Sequence, residues 1–73
     1  MNAHDIVDIF RRILETNDID VDSDFFQLGG DSLTATRILS AVARRTGTEL
    51  TFDDFMAAPT PGSLSEKLAV VAV

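Results

Sequence analysis

The chain has no cysteine, a single histidine, and only 6 basic residues against 12 acidic ones. Each shortage excludes something. Without cysteine there is no disulfide framework, and the chain supplies no thiol chemistry of its own. One histidine, His4, and no cysteine exclude a His/Cys zinc site. A formal charge of −6 argues against nucleic acid, whose phosphates call for clustered Lys and Arg, and against an anionic membrane surface. The opening "MNAHDIVDIFRRIL" lacks the basic region and apolar run of a secretory signal, and the closing "LAVVAV" is far too short to span a bilayer. The expected location is the cytoplasm. No segment alternates with period two for long, and there are no repeats or low-complexity tracts. The length of 73 residues points to one domain over 1–73, with a small core and no room for a deep substrate pocket under a folded lid.

What remains is helical. Apolar residues make up 45% of the chain, enough for a core. Ile6, Ile9, Phe10, Ile13 and Leu14 follow amphipathic spacing, with Asn2 as a cap and Asp5 three residues on. They predict a helix over about 3–16. A second helix is expected from Ser32 to Thr46, with Ala35, Ile38, Leu39 and Val42 on its apolar face and Gly47 as its stop. "LTFDDFMAA" predicts one short helix capped by Thr51, with Asp54 three residues later. "TPGSL" opens a last helix with Thr60 as cap and Pro61 in its first turn, burying Leu64, Leu68 and Val71. Between the first two helices "NDIDVDSDFFQLGG" reads as a long ordered loop tied down by Val21, Phe25, Phe26 and Leu28. The fold class is all-α: a bundle of three main helices and one short helix.

The chemistry concentrates at "QLGGDSLTAT". Ser32 has three readings. It is a residue type that caps helices, which by itself would leave an unmodified helical interaction module, and a helix N-terminus also favours a phosphate. "GDSL" is also the block of a serine esterase family, but the only base on offer is His4, near a terminus, and that family's larger α/β fold does not fit into 73 residues. The third reading is a point of attachment. The aspartate series Asp18, Asp20, Asp22 and Asp24 fails as an EF-hand loop, because Ser23 and Gly29 stand where glycine and glutamate are needed. On a helical wheel Leu33 falls on the polar face with Thr36, Arg37, Ser40 and Arg44, a large apolar residue out of place. Phe52, Phe55 and Met56 add apolar bulk that a short helix cannot bury in full.

"DSDFFQLGGDSLTATRILSAV" and "MAAPTPGSLSEKL" together resemble the acyl and peptidyl carrier domains, above all the thiolation domains of nonribosomal peptide synthetases. The resemblance covers nearly the whole chain. It implies that Ser32 receives 4′-phosphopantetheine from coenzyme A through a phosphopantetheinyl transferase. The thiol of that arm would hold an aminoacyl, peptidyl or acyl chain as a thioester. The carrier itself would catalyse nothing. It would hand the cargo from an adenylation or other loading enzyme to condensation or tailoring enzymes. The resemblance further places Asp31 in recognition by the transferase and Leu33 against transferase and partner enzymes. Thr36, Arg37 and Ser40 join the same docking face, extended by Phe52, Phe55 and Met56. Fatty-acid-type carriers have strongly acidic second helices. Here that helix carries Arg37, Arg44 and Arg45, which favours the peptidyl type. Pro61-Gly62 departs from the family, which often has a hydrophobic residue after the threonine. A monomer is expected, since there is no heptad seam. Met1 and the short length leave a free-standing carrier or an excised domain, the former favoured.

Overall fold

The computed structural model describes residues 1–71; Ala72 and Val73 lie outside the described residues. Four helices follow one another: α1 (Ala3–Leu14), α2 (Ser32–Thr46), α3 (Phe52–Ala57) and α4 (Pro61–Val71). Among the described residues there is no strand.

Each helix starts where a side chain closes its first turn. Asn2 and Asp5 form a reciprocal capping box on α1, with the Asp5 N–H donating to Asn2 Oδ1 at 2.9 Å and the Asn2 N–H to Asp5 Oδ2 at 3.1 Å. Thr51 and Asp54 repeat the device on α3, and Thr60 and Ser63 exchange equivalent bonds at the head of α4. α1 ends two residues short of the expected 16, because Glu15 turns into the left-handed region. Gly47 stops α2 in the same conformation, with φ 74°.

α1 packs against both α4 and α2, and α3 leans on α2. Three rings form the centre. Phe10, Phe25 and Phe55 are fully buried, with centroids 5.9 Å (Phe10–Phe25), 6.1 Å (Phe10–Phe55) and 4.8 Å (Phe25–Phe55) apart. Such aromatic pairs contribute about 0.5–1.5 kcal/mol each beyond the area they bury. Ile6, Ile9, Ile38, Val42 and Leu64 close the core around them.

The 15–31 segment is ordered by its aspartates. Asp20 accepts from the Asp22 N–H at 2.8 Å, and Asp24 accepts from the N–H groups of Phe26 and Gln27 at 2.9 and 3.2 Å. These carboxylates fold turns, and no group of three metal-ligating side chains occurs among the described residues. Backbone bonds then tie the segment to α4 and the link before it: Phe25 N–H to Pro59 O, 3.0 Å, and Gly62 N–H to Val21 O, 2.9 Å. Arg11 adds a bond from its guanidinium to Ile19 O at 3.2 Å.

Two expectations need correction. Phe26 and Leu28 do not tie the loop down; Ile19 and Phe25 do, while Phe26 and Leu28 stay more than a third exposed. Val71 is not part of the buried stripe of α4, since the helix runs past the end of the core there and leaves it 48% exposed. The departure at Pro61-Gly62 is absorbed. Pro61 is itself fully buried, taking the apolar place at the head of α4, and Gly62 lets the Val21 carbonyl approach so closely that a Cβ would stand 3.1 Å from it.

Candidate functional site

Gly29, Gly30, Asp31 and Ser32 carry the chain from the loop into α2. Gly29 turns with φ 87°, in the region that favours glycine. Gly30 is needed for a different reason. Its N–H donates to Phe25 O at 3.1 Å, and a Cβ there would run into ring atoms Cε1, Cε2 and Cζ of Phe25. The start of α2 is thus seated directly on the central aromatic cluster.

The cap of α2 is Asp31, not Ser32. The Asp31 carboxylate accepts from the Thr34 N–H at 2.9 Å, and the Asp31 N–H donates to Thr34 Oγ1 at 2.9 Å. Asp31 O accepts the first backbone bond, from Ala35, at 2.9 Å. Hydrogen bonds from the Thr34 N–H and hydroxyl hold the Asp31 carboxyl below its ordinary pKa, against a smaller opposing effect of desolvation. Ser32 is the first helical residue. The side-chain hydrogen bonds of this turn run through Asp31, Thr34 and Thr36, and none uses the Ser32 hydroxyl. That hydroxyl is exposed and has no partner among the described residues, at the end of a 15-residue helix whose first N–H groups lack backbone acceptors. A phosphodiester fits this position: the helix end favours an anion, and the like charge of Asp31 faces water, which screens it.

The side chains expected around it divide. Leu33 is 71% exposed, and Met56 and Phe52 are 56% and 38% exposed. Thr36, Arg37 and Ser40 are exposed along α2. Phe55 is not on this surface, because its ring is fully buried between Phe10 and Phe25. In its place stands Phe26, expected to tie the loop down, whose ring lies 6.5 Å from that of Phe52. With Leu28 it joins the exposed apolar residues before Leu33. The one signal that could have found them is their position within the same few residues as Ser32.

Residues 4–68 match the family model described as the phosphopantetheine attachment site. The chain belongs to that family. It is a carrier domain, and the group the family carries is 4′-phosphopantetheine. Family members of this kind are not themselves catalysts. The nonribosomal peptide synthetase agiA of Aspergillus flavus is 38% identical over 63 residues, 86% of this chain and 1% of that protein. This carrier thus spans a small fraction of the length of such a synthetase. The fold is that of BlmI, a type-II acyl carrier protein from Streptomyces verticillus involved in bleomycin biosynthesis: TM-score 0.90, 22% identity, covering 97% of this chain and 86% of BlmI. A peptidyl carrier protein solved in complex with the phosphopantetheine transferase Sfp and coenzyme A gives TM-score 0.90 and 28% identity, over 96% of this chain and 91% of that one. The carrier fold and the peptidyl leaning of the sequence both stand.

Proposed function

We propose that this carrier domain, spanning 1–73, receives 4′-phosphopantetheine on Ser32 and delivers aminoacyl, peptidyl or acyl cargo in nonribosomal peptide or related natural-product biosynthesis. The observation that carries the assignment is the Ser32 hydroxyl: exposed, free of hydrogen bonds among the described residues, and at the head of α2 because Asp31 has taken the cap. A transferase would join Ser32 Oγ to the phosphorus of the arm, breaking the pyrophosphate bond of coenzyme A and releasing the adenosine bisphosphate. When bound, the arm supplies the thiol that holds the cargo as a thioester, chemistry that a chain without cysteine cannot supply.

The residues of the chain do the rest. Asp31 fixes the head of α2 and marks the serine for the transferase. Leu33, Met56 and Phe52 supply apolar contact, with Thr36, Arg37 and Ser40 along the helix. The carrier adds no catalysis of its own and acts as a monomer in the cytoplasm. No helix among the described residues is long and apolar enough to cross a membrane. Its partners are the transferase, an adenylation or other loading enzyme, and condensation or tailoring enzymes downstream.

The test is incubation with coenzyme A, magnesium and a broad-specificity phosphopantetheinyl transferase, followed by intact mass. The expected result is one added phosphopantetheinyl group, absent in Ser32→Ala. A folded protein that gains nothing from an active transferase overturns the reading.

A further inference from the structure

The chain has 6 basic residues among 12 acidic ones, so most cations should find a carboxylate nearby. Three do: Arg11 with Asp8 at 3.7 Å, Arg45 with Asp5 at 3.8 Å, and Lys67 with Asp54 at 3.4 Å. Among the described residues the other three, Arg12, Arg37 and Arg44, have no acidic partner. All three line one shallow groove between α1 and α2, with Thr36, Ser40 and Arg45. Among the described residues no acidic side chain lines it. The unpaired positive charge of an acidic protein is gathered in one place.

That place is continuous with the attachment serine. Thr36 Oγ1 bonds back to the Ser32 carbonyl at 2.9 Å, and Arg44 Nε bonds back to the Ser40 carbonyl at 3.5 Å. Ser32, Thr36, Ser40 and Arg44 therefore succeed one another at four-residue spacing along one face of α2. At 1.5 Å rise per residue, Arg37 and Arg44 lie about 8 and about 18 Å along the helix from Ser32. Arg12 faces them from α1, so the groove reaches beyond the helix that carries the serine.

We infer that this groove docks a short acidic segment of a partner protein bound over α2, Asp or Glu side chains that pair with Arg12, Arg37 and Arg44. The inference rests on the carrier reading for its location and on the charge distribution for its chemistry. A long polyanion is the poorer occupant. It would extend from three cations onto a surface whose net charge is −6. A second copy of this chain would bring the same net charge and be repelled at long range.

The probe is a hexaglutamate peptide, titrated into isotope-labelled protein at low salt, with amide and arginine Nε resonances followed by NMR. Shifts confined to Arg12, Thr36, Arg37, Ser40 and Arg44 are expected, fading at about 0.5 M salt as screening shortens to a few ångströms. Arg12→Glu with Arg44→Glu should weaken binding about tenfold; if that pair fails to fold, Arg12→Gln with Arg44→Gln takes its place. Shifts scattered over the surface, or none, overturn the inference. So does a groove that binds inorganic phosphate or a short oligonucleotide as well as the peptide. Concentration-dependent shifts at the same residues without peptide would make a second copy the occupant and also overturn it. Intact mass after transferase treatment of the same sample keeps the two ideas apart. A protein that gains the arm but ignores the peptide remains a carrier and loses the groove.

Discussion

Replacing Asp31 removes the carboxylate that closes the first turn of α2. Asp31→Ala should lower the melting temperature by about 5 °C, the usual effect of losing a cap in a domain this small. Ser32→Ala should move it far less, because the Ser32 hydroxyl holds nothing and alanine suits a helix interior. Thermal denaturation of the two variants side by side checks the division of labour between neighbours. Two consecutive residues of capping type are not told apart by sequence, since either side chain can accept from the first turn; the backbone geometry at Gly29 and Gly30 chooses. At Gly30 the constraint is contact. Gly30→Ala drives a methyl into the Phe25 ring and should cost about 1–3 kcal/mol in chemical denaturation. It should also slow modification of Ser32, which that contact seats.

At the scale of elements, the two longest helices and their signals were plain in the sequence. Their apolar positions repeat over three turns or more, and a cap stands at each start. α3 has only 6 residues, less than two turns. A wheel that short does not say which of Phe52, Phe55 and Met56 faces inward, so sequence alone offers all three to the surface. Burial of Phe55 depended on Phe10 and Phe25, remote in the chain. Likewise the exposure of Phe26 and Leu28 depends on how a turn folded by Asp24 points them, which periodicity does not reach. Leu33 was legible because α2 is long enough to define a polar face. Leu33→Ala should leave stability nearly unchanged and lower the kcat/KM of the transferase for this carrier about five- to tenfold. Phe55→Ala should do the opposite at first remove. It would cost about 3–5 kcal/mol of the roughly 4–11 kcal/mol available to a 73-residue domain, seen as a large drop in denaturant midpoint.

The molecule as a whole carries its charge unevenly, with caps and turns using carboxylates and one groove collecting arginines. Two capping carboxylates bear on its acid limit. Asp31 is held below the ordinary value of 3.8 by the Thr34 N–H and hydroxyl. Asp54 is held below it by the Thr51 N–H and hydroxyl, with Lys67 adding to the effect. A depressed pKa in the folded state means the unfolded chain binds more protons in that window. The stability these groups contribute is therefore complete above 3.8. It is lost as pH falls through their folded values. Melting temperature should be flat down to about pH 4 and fall below it, and the combined Asp31→Asn and Asp54→Asn variant should show a shallower fall. A variant as steep as the parent would place the acid limit elsewhere.

The hydroxyl left free beside the cap is predicted to be the point of attachment. Proteolysis of the transferase-treated protein, followed by tandem mass spectrometry of every peptide that carries a serine or threonine, tests it most directly. The phosphopantetheinyl group is predicted on Ser32 alone, with Thr34 and Thr36 unmodified. A group found on either threonine, or on Ser23, Ser40 or Ser63, would contradict it.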